Sequence, residues 1–483
     1  MRQTPNFVIV FAIILIIFGY REWVTLSLPV TLFYDEAYYL SWASTPDWGY
    51  YSKPPMVAWL IALTTYLFGM AEWAVKLAAP LLYCGTGLLL YLINQKLFSA
   101  KAGLMATLIF ITMPLVSLNS LFITTDAPQL FFWALCCYAF IRAEQSNLWR
   151  WWLLAGMAGG AGLLSKYTFI LLPVAFLLLP LFYRPAIKVL QNPRFWLACL
   201  IALICLLPNL WWNYQHDFIS FQHTQEISKQ TENGISITRM GEFLALQLLV
   251  FGPLTLILLV KFIFRKNKTY GEHLLWALCW PTILLIAVQA LTGRANMNWA
   301  AAAYVAASLL VGYQLSLLKQ KFWMPIVLLV NIILMVAFYH YESINKQLDI
   351  ELTASTDPYK RIKGWPDFVQ QFQPWFDQYP NHKLAADSRK LLAYFGYYLN
   401  KRDFQGVAFD GTKHIAGHYE LKYPLANSPK QKFLFVTEDW DEIKLKTYFA
   451  NVTLLTEQQL PVYKNFTRTA RLYQVSGFKN HEQ

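Results

Sequence analysis

The chain has 483 residues, 56% of them apolar and only 14% charged, where soluble domains carry about 25% charged residues. That balance excludes an ordinary soluble enzyme, and repeated apolar runs of about 20 residues match the hydrocarbon thickness of a bilayer. The formal charge of +12 does not argue for nucleic acid, because most Lys and Arg sit in short segments between apolar runs, where they set membrane topology.

In chain order, MRQTPNFVIVFAIILIIFGYREW has a short positive leader and an apolar run without a small-residue cleavage site, so it reads as an uncleaved signal anchor. Further spans are expected near 74–95, 102–122, 127–142, 150–164, 167–183, 195–212, 243–264, 273–291, 297–318 and 322–341, about eleven with the first at 6–28. The apolar stretch 56–69 is short for a span and reads as a re-entrant or interfacial helix. All six cysteines lie in apolar runs without metal-ligand spacing and read as small buried residues. With the N-terminus inside, Arg2, Lys96, Lys101, Arg142, Arg150, Arg184, Lys188, Arg194, Lys261, Arg265, Lys266, Lys268, Lys319 and Lys321 fall on the inner side. Asp35, Glu36, Asp47, Glu72, Asp126, Asp217, Glu226, Glu232 and Glu242 fall outside, a clustering that a catalytic or binding face would explain.

From about 343 the long apolar runs end. Segments 383–388, 432–439, 451–457 and 470–478 read as strands, and 389–399 and 442–449 as helices between them. The expectation is an α-helical polytopic membrane domain over 1–342, with a first outer loop at about 33–73, and a small α/β domain over 343–483 on the outer face.

The stretch 34–59, YDEAYYLSWASTPDWGYYSKPPMVAW, concentrates the chemistry. Asp35 and Glu36 suit the first turn of a helix, where acids meet the positive end of the macrodipole. They equally suit a general base toward a hydroxyl or a cation ligand. Tyr38, Tyr39, Trp48, Tyr50 and Tyr51 fit an interfacial belt or a platform for sugar faces. Lys53 precedes Pro54-Pro55, which hold an extended, rigid backbone.

Asp126, in TTDAP, is either part of a helix N-cap cluster or a second acid converging with Asp35. Lys166 either snorkels or neutralises a lipid phosphate. Arg294 is either a juxtamembrane anchor or a bidentate phosphate contact. His216 and His223 are seven apart, which on a helix places them on one face two turns apart. They are loop histidines or, with a distant carboxylate, ligands of a divalent metal.

Together YDEAYYLSWA (34–43), DWGYYSKPPMVAWLIAL (47–63), TTDAP (124–128), GLLSKYTFILLP (162–173), WWNYQHDFISFQ (211–222), NMNWAAAAY (296–304) and DPYKRIKGWPDF (357–368) resemble one family. It is the polyprenyl-phosphate-sugar-dependent glycosyltransferases of the glycosyltransferase-C fold, in the bacterial branch of the protein O-mannosyltransferase superfamily. That branch includes lipid A aminoarabinose and lipopolysaccharide galacturonic acid transferases. The resemblance implies a bacterial inner-membrane enzyme with a cytoplasmic N-terminus and a periplasmic C-terminal domain. It implies transfer of a sugar, with inversion, from an undecaprenyl-phosphate donor to lipid A or another envelope glycan or protein.

By the same resemblance Asp35 and Asp126 match acidic catalytic positions, Lys53 matches the donor-phosphate lysine, and His216 or His223 lies where relatives place a metal-ligating histidine. Relatives often carry Glu just before that lysine, where this chain has Ser52. The competing readings are a polyprenyl-lipid transporter or flippase and an envelope scaffold. The first calls for internal repeats, which the sequence lacks; the second leaves the outer acids unexplained.

Overall fold

The computed structural model describes residues 4–28, 30–229, 234–265, 268–409, 411, 415–425 and 431–479. Arg2, Glu232 and Lys266 of the topology argument lie outside the described residues. The chain divides into two compact units: Met1–Ser27 with Lys53–Leu60 and Lys76–Tyr341, and Leu28–Ser52 with Ile61–Val75 and Glu342–Gln483.

The first unit is a bundle of apolar helices. Among the described residues, four helices are long and apolar enough to cross a membrane: Phe7–Ser27, Glu72–Leu97, Pro193–Gln215 and Tyr270–Thr292. Two bent pairs raise this to six. Several expected spans are instead interrupted, two of them at a residue that supplies the cause. The 102–122 stretch splits into Ala100–Thr112 and Pro114–Asn119 at extended Met113, because a residue before proline is pushed out of the helical region. The 297–318 stretch is a 3₁₀ turn at Met297–Ala300 followed by the Ala303–Leu317 helix. The 243–264 stretch bends by 111° between Phe251 and Pro253, at Gly252 with φ of +95°, a conformation L side chains resist.

Within this bundle the Asp126–Ser146, Trp149–Leu163 and Pro193–Gln215 helices pack through aromatics such as Phe140, Trp152 and Phe195. The 56–69 stretch forms the Met56–Phe68 helix.

The second unit is built on a five-stranded sheet of order β2-β1-β3-β5-β4: β1 Lys383–Ala386, β2 Val407–Ala408, β3 Phe433–Thr437, β4 Phe449–Tyr463 and β5 Phe466–Phe478. β1 runs parallel to β2 and β3, and β5 antiparallel to β3 and β4. The four expected strand segments all contain strands; two-residue β2 has no periodicity long enough to read. β3 is buried at every position, as a strand with both neighbours paired and both faces covered must be. Phe433, Phe435, Trp440, Phe449 and Tyr473 form its core. The Arg389–Tyr398 helix covers the sheet, and the early segment 28–52, carrying the Tyr34–Ala43 helix, belongs to the same unit.

Candidate active site

In the membrane unit the site is built on the turn at Asp126. The Asp126 amide donates to Thr124 Oγ1 at 3.3 Å and begins the Asp126–Ser146 helix. The Thr125 side chain makes no cap, so the threonines do not fully account for the turn. The carboxylate is 1% exposed and occupied on both sides: Lys166 Nζ donates to Oδ1 at 2.6 Å and Asn298 Nδ2 to Oδ2 at 2.6 Å. A buried carboxylate is tolerated only with such partners, and its place in the first helical turn adds the favourable macrodipole.

Lys166 is held by its own turn, its amide donating to Gly162 O at 3.1 Å. Gly162 is required for packing, since a Cβ there would stand 2.0 Å from the Phe169 ring. Two residues earlier, Leu164 O accepts the Met56 amide at 3.0 Å, which fastens the Lys53-Pro54-Pro55 bend to the Lys166 turn. Beside it, Tyr167 donates to Asn209 Oδ1 at 3.1 Å and receives Asn213 Nδ2 at 3.2 Å. Among the described residues Asn213 Oδ1 is buried without a hydrogen-bond partner. An apolar cavity of about 310 Å³, lined by Phe140, Leu163, Phe169, Ile170, Phe176 and Leu206 among others, adjoins the same turn. Arg294 is exposed, its Nε donating to Asn296 Oδ1 at 3.3 Å. Asn298 lies inside the 296–304 motif but, as an amide between two spans, carries no charge signal in the sequence.

The histidines do not share a helix face. The Pro193–Gln215 helix ends before His216, Asp217 and Phe218 take φ of 53° and 55°, and a new helix runs over Ile219–Lys229, carrying His223. The helical-spacing expectation therefore fails, because two left-handed residues break the repeat. His216 stacks on Trp212 at 4.0 Å, with Nδ1 bonded to Trp212 O at 2.7 Å. Among the described residues no three His, Cys, Asp or Glu side chains gather as a metal-holding set, and Ser52 supplies no carboxylate.

Asp35 lies in the second unit. Glu36 Oε2 accepts the Phe33 amide at 2.9 Å and is 1% exposed, so this acid caps the Tyr34–Ala43 helix from its third position. Asp35, one residue earlier, is half-buried. Its neighbour is Arg389, a residue the sequence reading did not single out. Burial works against the Arg389 charge, but Tyr38, Asp35, Tyr34 and Tyr39 outweigh it and raise its pKa. Burial also pushes the Tyr34 hydroxyl up, as does Asp35, while Arg389 and Arg361 pull it down.

Of the five aromatics expected to meet a sugar, Tyr38, Tyr39, Tyr50 and Tyr51 are 1%, 7%, 0% and 3% exposed, whereas Trp48 is 48% exposed. Tyr38 oxygen accepts the His418 amide. Tyr50 stacks on Trp42 at 4.7 Å, donates to Trp42 O at 3.3 Å and accepts the Asp47 amide at 2.9 Å. Those four are buried, and the Tyr38 and Tyr50 hydroxyls are paired as buried tyrosines require; of the five, Trp48 is the exposed one.

Each unit thus holds its own charged cluster: Asp35 beside Arg389 in the second, and Asp126 clamping Lys166 beside an apolar cavity in the first. The chain also matches the family model described as dolichyl-phosphate-mannose-protein mannosyltransferase over residues 52–212. It is similar to the lipid A galacturonosyltransferase of Rhizobium johnstonii, 31% identical over 434 residues and covering 88% of this chain and 90% of that one. It is 25% identical over 266 residues to the undecaprenyl phosphate-alpha-4-amino-4-deoxy-L-arabinose arabinosyl transferase of Shewanella sediminis, 51% of this chain and 47% of that one. Its fold is similar to ArnT of Cupriavidus metallidurans bound to undecaprenyl phosphate, with a TM-score of 0.63 at 15% identity over 96% and 97% of the two chains.

The protein is a multi-pass membrane glycosyltransferase. It belongs to the polyprenyl-phosphate-sugar-dependent family of the glycosyltransferase-C fold that includes the lipid A galacturonosyltransferases.

Proposed function

We propose that the protein moves a single sugar from an undecaprenyl-phosphate donor to lipid A or lipopolysaccharide at the periplasmic face of the bacterial inner membrane, with inversion. The topology that goes with it is a cytoplasmic N-terminus, about eleven spans completed by the shorter apolar helices, and a periplasmic domain over 343–483. The observation that carries the reading is the fastening of the Lys53 bend to the turn of Lys166, itself clamped by buried Asp126. Two cationic segments are thereby gathered beside an apolar cavity suited to the start of a polyprenyl chain.

In this reading Lys53 and Lys166, with Arg294, bind the donor phosphate. The bond broken joins the anomeric carbon to a phosphate oxygen, and the electron pair leaves on a phosphate monoester. Such a leaving group needs charge stabilisation more than protonation. Asp126 positions Lys166, with Asn298 fixing the carboxylate. Asp35 accepts the proton of an acceptor hydroxyl, or orients the acceptor if the nucleophile is already a phosphate oxygen.

The test is mass spectrometry of lipid A and outer glycans from cells with the gene, without it, and with Asp35→Asn at equal protein level. A sugar-sized mass that disappears in both altered strains is expected. Its persistence with Asp35→Asn would contradict the role given to the first loop.

A further inference from the structure

The second unit holds a basic pocket that the reaction above does not use. It encloses about 330 Å³ and is lined by Lys360, Arg361, Lys390 and Arg468, together with Tyr34, Ala354, Trp365 and Phe466. Half of the lining residues are cationic and none is acidic. Among the described residues Lys390 is the one of these four cations with a carboxylate partner, Glu438 at 2.5 Å. Among the described residues no carboxylate forms an ion pair with Lys360, Arg361 or Arg468.

The pocket is constructed rather than incidental. Arg468 is 7% exposed and lies 4.1 Å from the Trp365 ring centroid. Its Nε donates to Lys363 O at 3.0 Å and a terminal nitrogen to Lys360 O at 3.1 Å. Burying a guanidinium against carbonyls, with no carboxylate in ion-pair contact, is costly, and burial draws its pKa below the usual arginine range although Tyr394 and Glu438 pull it back up.

The 357–368 segment is anchored from within. Asp357 accepts Lys363 Nζ at 2.7 Å and the Tyr463 hydroxyl at 2.8 Å. Trp365 Nε1 donates to Arg361 O at 2.9 Å. Asp357, Lys363 and Trp365 thus fix the backbone, while Lys360 and Arg361 stay exposed at the pocket. Tyr34, the residue before Asp35, forms part of the wall.

We infer that this pocket binds a phosphate monoester carried by a substrate, held by Lys360, Arg361 and Arg468 beside Asp35. A singly charged carboxylate is matched by one guanidinium, whereas a phosphate dianion has three acceptor oxygens for several donors. The inference rests on the transferase reading, in which the acceptor glycolipid carries such a group, while the donor, a phosphodiester, yields one only as the released undecaprenyl phosphate. The acceptor is favoured, since Lys53 and Lys166 are already assigned to the donor.

The test is equilibrium binding to the full chain in nanodiscs, with bis-phosphorylated lipid A, its dephosphorylated form and undecaprenyl phosphate as probes. Wild type is compared with Lys360→Gln/Arg361→Gln, two exposed positions whose exchange leaves the fold intact. Wild type is expected to prefer phosphorylated over dephosphorylated lipid A by about tenfold, the worth of one charged hydrogen bond, and the double variant to lose that preference. Weaker undecaprenyl phosphate binding by the variant would also support the site, assigning its phosphate to the lipid released from the donor. Equal behaviour of wild type and variant toward both phospholipids would overturn it. Absence of sugar transfer by wild type would count against the transferase reading alone, because the binding readout needs no turnover.

Discussion

Asp126 has both oxygens occupied, and that decides what its loss does. Asp126→Asn leaves Lys166 without a counter-charge and is expected to cost about 3 kcal/mol and abolish transfer. In a double-mutant cycle with Lys166→Met, the two effects should fall short of additivity by about 1–3 kcal/mol, read as melting shifts in detergent. Asn298→Ala removes one charged hydrogen bond, about 1.5–3 kcal/mol, and should lower transfer without changing expression. Glu36 and Asp35, adjacent in sequence, separate by role. Glu36→Gln keeps an oxygen for the Phe33 amide and should retain most activity, whereas Asp35→Asn should not.

At this scale the sequence exposed every charged residue but not its partner. Asp126 and Lys166 stood out as acid and base at membrane edges, while their bond depends on two turns 40 residues apart. Asn298 and Arg389 carried no signal, being an amide in an apolar run and one arginine among many. Tyr38 and Tyr50 misled for a chemical reason: tyrosine satisfies its hydroxyl equally well at a membrane interface and in a core.

At the scale of elements, hydropathy found the apolar runs but not their breaks. Gly252 is the sharpest case. It sits at φ +95°, and a Cβ there would approach Asn331 Oδ1 to 2.6 Å and Thr255 Oγ1 to 2.9 Å. Gly252→Ala is therefore expected to destabilise by about 1–3 kcal/mol, measured as a lower melting temperature, while the Gly19→Ala control, with no atom within 4 Å, should be neutral. The Met113-Pro114 break was readable from proline alone; the His216–Phe218 break was not, because neither Asp217 nor Phe218 announces a left-handed backbone. Alternation located the strands, and only β2, two residues long, escaped it.

At the scale of the molecule, the division into units follows burial rather than chain order. Residues 28–52 read as a membrane-edge loop because aromatics and acids follow a span. They belong instead to the compact unit of the C-terminal sheet, through contacts such as the Leu32 amide on Tyr398 and the Tyr38 oxygen accepting from His418. Contacts separated by more than 360 residues leave no local pattern. Membership of the glycosyltransferase family was legible because its motifs recur along the whole chain, although no single motif was decisive.

The most direct test is reconstitution: the purified chain in lipid with an undecaprenyl-phosphate-linked sugar and lipid A. Lipid A heavier by one sugar residue, with release of undecaprenyl phosphate and loss of both products in Asp35→Asn, is the expected result. Movement of the donor lipid across the bilayer without any new glycosidic bond would contradict it.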